Sequence, residues 1–445
     1  MTATEIPGIT DVTGLTGVSG VRLAGRSVDI TFDGPLVGTV RPHNPGASEG
    51  LLDLCGYSIL PATADPHAHL DKSRSWDLVN PPVGDLPGAV DAWSMAAARF
   101  SQDDILARAR GTALSMLAAG TTAVRSHVDV YTHPVADTVT GTDPFRGIRA
   151  VNQLRQELDG VMTLQIVALI PASTPNLDIS RVVTGALDAG ADLVGGAPHL
   201  AEEPIAQTDA LIDAAEAHAV GCDLHIDEFT EIDPTSFGAP RVQTIHHYAE
   251  RVTGWPEGRD RAAGHCCRLS GITASELDTT AVELRAAHMP VIALPATNLY
   301  LQASGSRGIA PLTALREKGV RVAAGGDNVA DPFNPTGRAD ALETAALLIT
   351  AAHQTPDQAL DLVTADARAA MGLPPAGPVP GATADLLCLR TPDDRRTDST
   401  DSTDSTDSAV PLIASAPSDR VVFSAGRLVA RTTSVTTYPH LRPSV

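Results

Sequence analysis

Between residues 59 and 327 the chain repeats one pattern eight times: a short, almost continuously apolar run, then a longer stretch with helical periodicity. The runs are YSILPATA near residue 60, AVRSHVDV from 123, TLQIVALI from 163 and DLVGGAP from 192. CDLHID from 222, AAGHCC from 262, PVIALP from 290 and VRVAAGGD from 320 complete the set. Strands apolar on both faces belong to a parallel sheet covered by helices. Eight such units match a (β/α)8 barrel in count and length. An open doubly wound sheet is the alternative, but no G-x-G-x-x-G follows the first run. The intervening stretches carry helix punctuation. In SQDDILARARGTALSMLAAG, Ser101 and Asp104 read as an acidic capping box and Gly120 as the stop. Its Ile105, Leu106, Ala109, Ala113, Leu114 and Leu117 form one apolar stripe.

The ends of the chain break the pattern. Residues 1–58 contain alternating pieces such as GVRLAGRSVDITFDG, and the tail DRVVFSAGRLVART reads as a hairpin turning near Gly426. The expected fold is therefore α/β: a distorted (β/α)8 TIM barrel over 59–375. Residues 1–58 and 376–445 would pair into a small β-sandwich module. The polar repeat TPDDRRTDSTDSTDSTDS, over 391–408, has nothing to bury and is expected as a disordered loop.

Of the 445 residues, 43% are hydrophobic, enough for a large core, and the formal net charge is −21. That charge repels phosphate backbones and anionic lipid, so neither nucleic acid nor membrane is an expected partner. MTATEIPGIT has neither the basic start nor the apolar stretch of an export signal. The odd, scattered set Cys55, Cys222, Cys266, Cys267 and Cys388 suits reduced thiols in a cytoplasmic protein. A small-molecule substrate is the expected partner, and homo-oligomerisation is compatible with the sequence.

Polar residues cluster where barrel active sites form, at the C-terminal ends of strands. His67 and His69 in ADPHAHLDK follow the first strand, two residues apart and so on one face. His225 ends the fifth, His265 the sixth and Asp327 the eighth. Three imidazoles and a carboxylate suit one divalent ion, Zn²⁺ or Fe²⁺ with Mn²⁺ also compatible, so the expected ligands are His67, His69, His225 and Asp327. Such an ion lowers the pKa of bound water from about 15.7 to about 7, on the order of 12 kcal/mol in hydroxide availability. A positioned general acid supplies roughly 3–5 kcal/mol. The metal carries the larger share. Glu228, three residues past His225, is placed to shuttle protons. His265 is either a fifth ligand or a hydrogen-bond partner of the attacking water; the second role is preferred. Cys266 and Cys267 read as small buried residues.

Together PHAHLDK, VRSHVDV, LQIVA, GADLVGGAPH, HIDE, GH, NLYLQ and GGDNVADPFNPTG resemble, in order, the amidohydrolase superfamily and within it the cytosine deaminase group. The resemblance spans residues 59–372 and implies a one-metal enzyme of pyrimidine metabolism that hydrolyses an exocyclic amine. It implies that Glu228 moves protons to the ring nitrogen and leaving amine, His265 assists the water, and Asp327 accepts its proton. No P-C-x-x-C of the cytidine-type zinc deaminases is present. Three positions depart from the group: Pro171 where a glutamine is usual, Asn328 for an aspartate, and Phe333 for a tryptophan. Asn328 and Phe333 are the expected substrate contacts. Cytosine, 5-methylcytosine, creatinine and isoguanine all remain open as substrates. Two alternatives are removal of a substituted amine from an N-alkyl triazine, since HAHLDKS is similar to the start of the triazine-degrading relatives, and a metal-free barrel scaffold without chemistry.

Overall fold

The computed structural model describes residues 14–46, 49–84, 86–132, 143–172, 177–230, 242–301, 308–390 and 409–437; the polar repeat at 391–408 lies outside them. The chain divides into two units, one of Met1–Ala62 with Ala376–Val445, the other Thr63–Pro375.

The first unit begins with β1 (Gly17–Leu23), β2 (Arg26–Asp33), β3 (Leu36–Pro42), β4 (Leu51–Asp53) and β5 (Tyr57–Pro61). Ala24 and Gly25 join β1 to β2 with φ of 46° and 68°. Two successive left-handed residues make the turn whose twist suits a two-residue hairpin.

The second unit holds β6 (Thr63–Ala68), β7 (Thr121–Asp129), β8 (Thr163–Ile170) and β9 (Leu193–Gly196). It continues with β10 (Gly221–Ile226), β11 (Arg261–His265), β12 (Val291–Ala293) and β13 (Val322–Ala324). These eight run parallel in sequence order, separated by helical segments. The ring closes between the last strand and the first. Asp327 N–H donates to His67 O (2.9 Å), His69 N–H to Asp327 O (3.1 Å), and the Asp65 carboxylate accepts Gly326 N–H. A Cβ on Gly325 or Gly326 would lie 2.7 or 2.9 Å from the Asp65 oxygens, so this closure needs both glycines.

The chain returns to the first unit with β14 (Leu386–Arg390), β15 (Arg420–Ser424) and β16 (Arg427–Thr432). The sheet order is β16-β15-β14-β5-β1-β2-β3, with β4 beside β1. Phe32 of β2 and Phe423 of β15 lie four strands apart in that order, yet their ring centroids are 5.4 Å apart. The sheet therefore curls back over a core of Val18, Val21, Ile30, Val37, Ile59, Leu386 and Phe423. The expected tail hairpin is present, with Ala425 and Gly426 both left-handed.

Two readings of local sequence need correcting. YSILPATA is two strands. β5 pairs with β14 and buries alternate residues, whereas β6 is buried at every position. Residues 59–62 therefore belong to the terminal sheet. One uninterrupted apolar run spans a one-sided strand and a two-sided one, and hydropathy alone does not separate them. In the helix Gln102–Ala119, Ser101 accepts Asp104 N–H as expected and Gly120 ends it, but Leu114 is 40% exposed. Met116 and Thr112 are buried instead, which turns the stripe by part of a helical step. Full capping boxes occur at Thr273 with Glu276 and at Thr355 with Gln358. Among the described residues no helix is long and apolar enough to cross a membrane.

Candidate metal centre and active site

Barrel interiors are usually filled by branched apolar side chains. Here several strands put polar groups inward at every second residue. β7 offers Arg125, His127 and Asp129; β10 offers Asp223 and His225; β6 offers Asp65 and His67. All but Asp129 are buried.

His67 lies within β6 rather than after it, and His69 follows the strand. Both Nε2 atoms stand 3.2 Å from His225 Nε2, 158 and 156 residues away in sequence. Asp327 Oδ1 is 3.3 Å from His69 Nε2 and 3.9 Å from His67 Nε2. His67, His69 and His225 present ligand atoms within 4.8 Å of one another, as do His67, His265 and Asp327. The sequence-expected ligands thus converge.

These residues fit a cation. His69 Nδ1–H donates to the His127 carbonyl (3.0 Å), which leaves a lone pair on Nε2. Burial first, then neighbouring imidazoles and Lys72, push His67 and His225 well below the ordinary histidine range, so both rings are neutral. A neutral ring carries its hydrogen on one nitrogen alone, so three facing Nε2 atoms can all offer lone pairs to a single electropositive centre. Two nitrogens bound tetrahedrally at about 2.05 Å to one ion would be about 3.3 Å apart, close to the observed spacing. Both Asp327 oxygens are buried without a hydrogen-bond donor, which also suits a cation.

The ligands are held from behind. Lys72 Nζ is 2.9 Å from Asp129 Oδ1, and Trp93 Nε1–H donates to Asp129 Oδ2. His67 stacks on His127 at 3.8 Å between centroids. The same ring also meets Gly264, where a Cβ would come within 2.8 Å of its Cε1; hence the glycine of GH. Beneath His127, Asp223 accepts from the fully buried Arg125 (2.9 Å) and lies 3.5 Å from His127 Nε2. Asp227, His265 and Asp327 all have φ between 46° and 64°. Left-handed backbone at three strand ends around one site is strain that the closed barrel holds in place.

Glu228 is buried beside the cluster. Its Oε1 is 3.6 Å from His265 Nδ1 and its Oε2 3.9 Å from His199 Nε2. Asp227, its neighbour in HIDE, instead accepts Thr244 N–H, Thr244 Oγ1–H and Ile245 N–H, anchoring the next helix. His265 Nε2 faces Asp327 Oδ2 at 3.9 Å, outside the tight Nε2 group, and its Nδ1 is 3.0 Å from Asn298 Oδ1. Cys266 and Cys267 are fully buried, and burial pushes the Cys266 thiol well up.

The two expected substrate contacts part ways. Phe333 is half-buried with Lys72 Nζ 5.8 Å from its ring centroid. Asn328 is buried; its Nδ2 donates to Asp331 (2.8 Å) and its Oδ1 accepts from Thr297 (3.3 Å). Its amide braces the loop that carries Phe333. Sequence reasoning assigned nothing to His127, His199, Asn298 or Lys72. For His127 the available signal was polar residues at alternate positions of an otherwise apolar strand, as in RSHVD; His199, Asn298 and Lys72 lie outside the strands.

Residues 173–430, more than half of the chain, match the amidohydrolase family. A pterin deaminase of Rhizobium rhizogenes is 28% identical over 446 aligned positions, covering 96% of this chain and 92% of the relative. The fold of 5-methylcytosine deaminase from Klebsiella pneumoniae, liganded with phosphonocytosine, superposes with a TM-score of 0.77 at 22% identity, over 95% of this chain and 100% of that one. N-isopropylammelide isopropylaminohydrolase from Burkholderia multivorans superposes with a TM-score of 0.72 at 27% identity, over 94% and 98%. With its parallel eight-stranded barrel and its cluster of histidines and aspartate, the chain belongs to the amidohydrolase family.

Proposed function

We propose that this protein hydrolyses the exocyclic amine of a small aminated heterocycle, releasing ammonia, with one divalent metal held by His67, His69, His225 and Asp327. The observation that carries the reading is Glu228, a buried carboxylate 3.6 Å from His265 and adjoining the imidazole cluster. A bound divalent ion supplies Lewis acidity that makes water nucleophilic at neutral pH. Asp327 takes the proton from that water through the oxygen facing His265. Glu228 enters protonated and gives that proton to the ring nitrogen of the amidine as the carbon–oxygen bond forms. It then collects the adduct's hydroxyl proton and passes it to the amine as the carbon–nitrogen bond breaks, and the proton on Asp327 restores it for the next turnover. His265 holds the attacking water on line. Phe333 forms one wall for the ring, set by the loop that Asn328 braces.

The substrate class is a ring with an amidine carbon between nitrogens. Cytosine, 5-methylcytosine, isoguanine and creatinine are candidates, and the relative described as a pterin deaminase adds pterins. Pro171 offers no side-chain amide to read a pyrimidine edge, which favours the larger or modified rings over cytosine. Removal of an alkylamine is the second reading, supported by the likeness to the isopropylammelide hydrolase. Zinc- and iron-loaded protein incubated with each ring, with ammonia and alkylamine quantified, separates the two. Ammonia from an aminated ring, lost on chelation and restored by metal, is expected. Isopropylamine from N-isopropylammelide with every aminated ring intact would overturn deamination. A chain that neither retains nor takes up metal would support the scaffold alternative.

A further inference from the structure

His265 Nδ1 has two acceptors within reach. Asn298 Oδ1, on the helix Pro295–Tyr300 that follows β12, is at 3.0 Å, and Glu228 Oε1 is at 3.6 Å. Only the first is within hydrogen-bond distance. Asn298 and His265 are both buried, so this contact is shielded from competing solvent. A carbonyl oxygen accepts and cannot donate, so its pairing with Nδ1 requires the hydrogen on Nδ1 and a lone pair on Nε2. That Nε2 faces Asp327 Oδ2 at 3.9 Å, a gap in which a water molecule can be held.

We propose that Asn298 is a positioning residue that fixes His265 in the Nδ1–H form and keeps that hydrogen from Glu228. The consequence is a separation of tasks between two acid–base groups only 3.6 Å apart. With Asn298 in place, Nε2 of His265 accepts from the attacking water, and Glu228 addresses the ring nitrogen. Without it, Nδ1–H turns to the nearest remaining acceptor, Glu228 Oε1, and the proton shuttle is tied to its neighbour. Residues that orient groups at a metal site in this way typically change activity by 10- to 100-fold. The proposal rests on the acid–base roles given above to Glu228 and His265.

The test uses full-length, zinc-loaded protein with ¹⁵N-labelled histidine. Comparison with the His265→Gln variant assigns the His265 signals. Wild type should show His265 with a protonated Nδ1 and an unprotonated Nε2; the reverse tautomer, with the Asn298 amide N–H donating to Nδ1, overturns the proposal. Asn298→Leu should keep its zinc and leave KM within about threefold, while kcat falls about 10- to 100-fold. A crystal structure of that variant should show the His265–Glu228 gap closed to hydrogen-bond distance. Asn298→Asp keeps an acceptor and has no N–H to offer, so it should retain the wild-type tautomer and recover most of kcat. Equal losses in the Leu and Asp variants, or an unchanged gap in the Leu variant, would overturn it. Should wild type release no amine from any ring, the functional reading falls, while the tautomer measurement still decides the role of Asn298.

Discussion

In the terminal sheet the inward positions are Val18, Ile30, Val37, Leu386 and Phe423; in the barrel they include Asp65, His67, Arg125, His127, Asp223 and His225. Each unit forms an eight-stranded sheet, and each buries its inward residues. Apolar burial contributes roughly 25 cal/mol per Å² and needs no particular partner. Buried charge costs several kcal/mol per group unless each one is paired or bound to a cation. The barrel meets that demand with a chain of pairs. Asp260 and Asp223 flank Arg125, Asp129 holds Lys72, and the Nε2 group converges where an ion fits. The terminal sheet is built for stability and the barrel centre for chemistry.

Substitutions can break this contrast. The largest effect is expected from Asp327→Asn, which weakens metal retention and should lower turnover on the order of 10³-fold or more. Metal content by elemental analysis and steady-state kinetics measure the two losses. Next, Phe423→Ala in the terminal sheet should cost about 3–5 kcal/mol of stability in urea unfolding. Its kcat/KM, measured well below the unfolding midpoint, should stay near wild type; a large kinetic defect there would erase the distinction between the units. Glu228→Gln should retain metal and unfold normally yet lose about 10²-fold or more in kcat, roughly 3 kcal/mol. Normal turnover in that variant removes Glu228 from the mechanism.

Smaller effects sharpen the comparison. Gly264→Ala drives a methyl against the His67 ring and should cost about 1–3 kcal/mol through overpacking. Because the displaced ring is a proposed ligand, metal affinity by chelator competition should fall with stability, unlike any change in the terminal sheet. Leu114→Gln is expected to change stability by less than about 0.5 kcal/mol, since that side chain already faces solvent. A loss of several kcal/mol would show that the exposed position is covered in solution.

Much of this was legible before any coordinates. The eight apolar runs count the barrel strands, and the termini announce a separate β-module through alternating N-terminal pieces and a tail hairpin with a glycine turn. His67, His69, His225 and Asp327 stand out because metal-competent side chains recur at strand ends. Other features were not legible. YSILPATA gives no sign that it changes sheets at Ala62, because the nearly apolar run carries across the boundary before Asp65 and His67 appear. In HIDE, Glu228 stands out as the shuttle three residues past His225, but the task of Asp227 does not: only the path of the chain after β10 sends it to Thr244. His127, His199 and Asn298 lie in VRSHVDV, GADLVGGAPH and NLYLQ, motifs that give these residues no role of their own.

Residue type and periodicity by themselves determined the strand count, the class of fold and a donor set suited to a divalent cation, because those follow from local geometry and ligand chemistry. The tertiary structure alone decided which groups face one another. Its reason is distance: closing the ring brings atoms 158 residues apart to 3.2 Å, and sets His265 closer to Asn298 than to Glu228. A difference of a few tenths of an ångström separates a hydrogen bond from a near miss, and no pattern in the sequence carries that information.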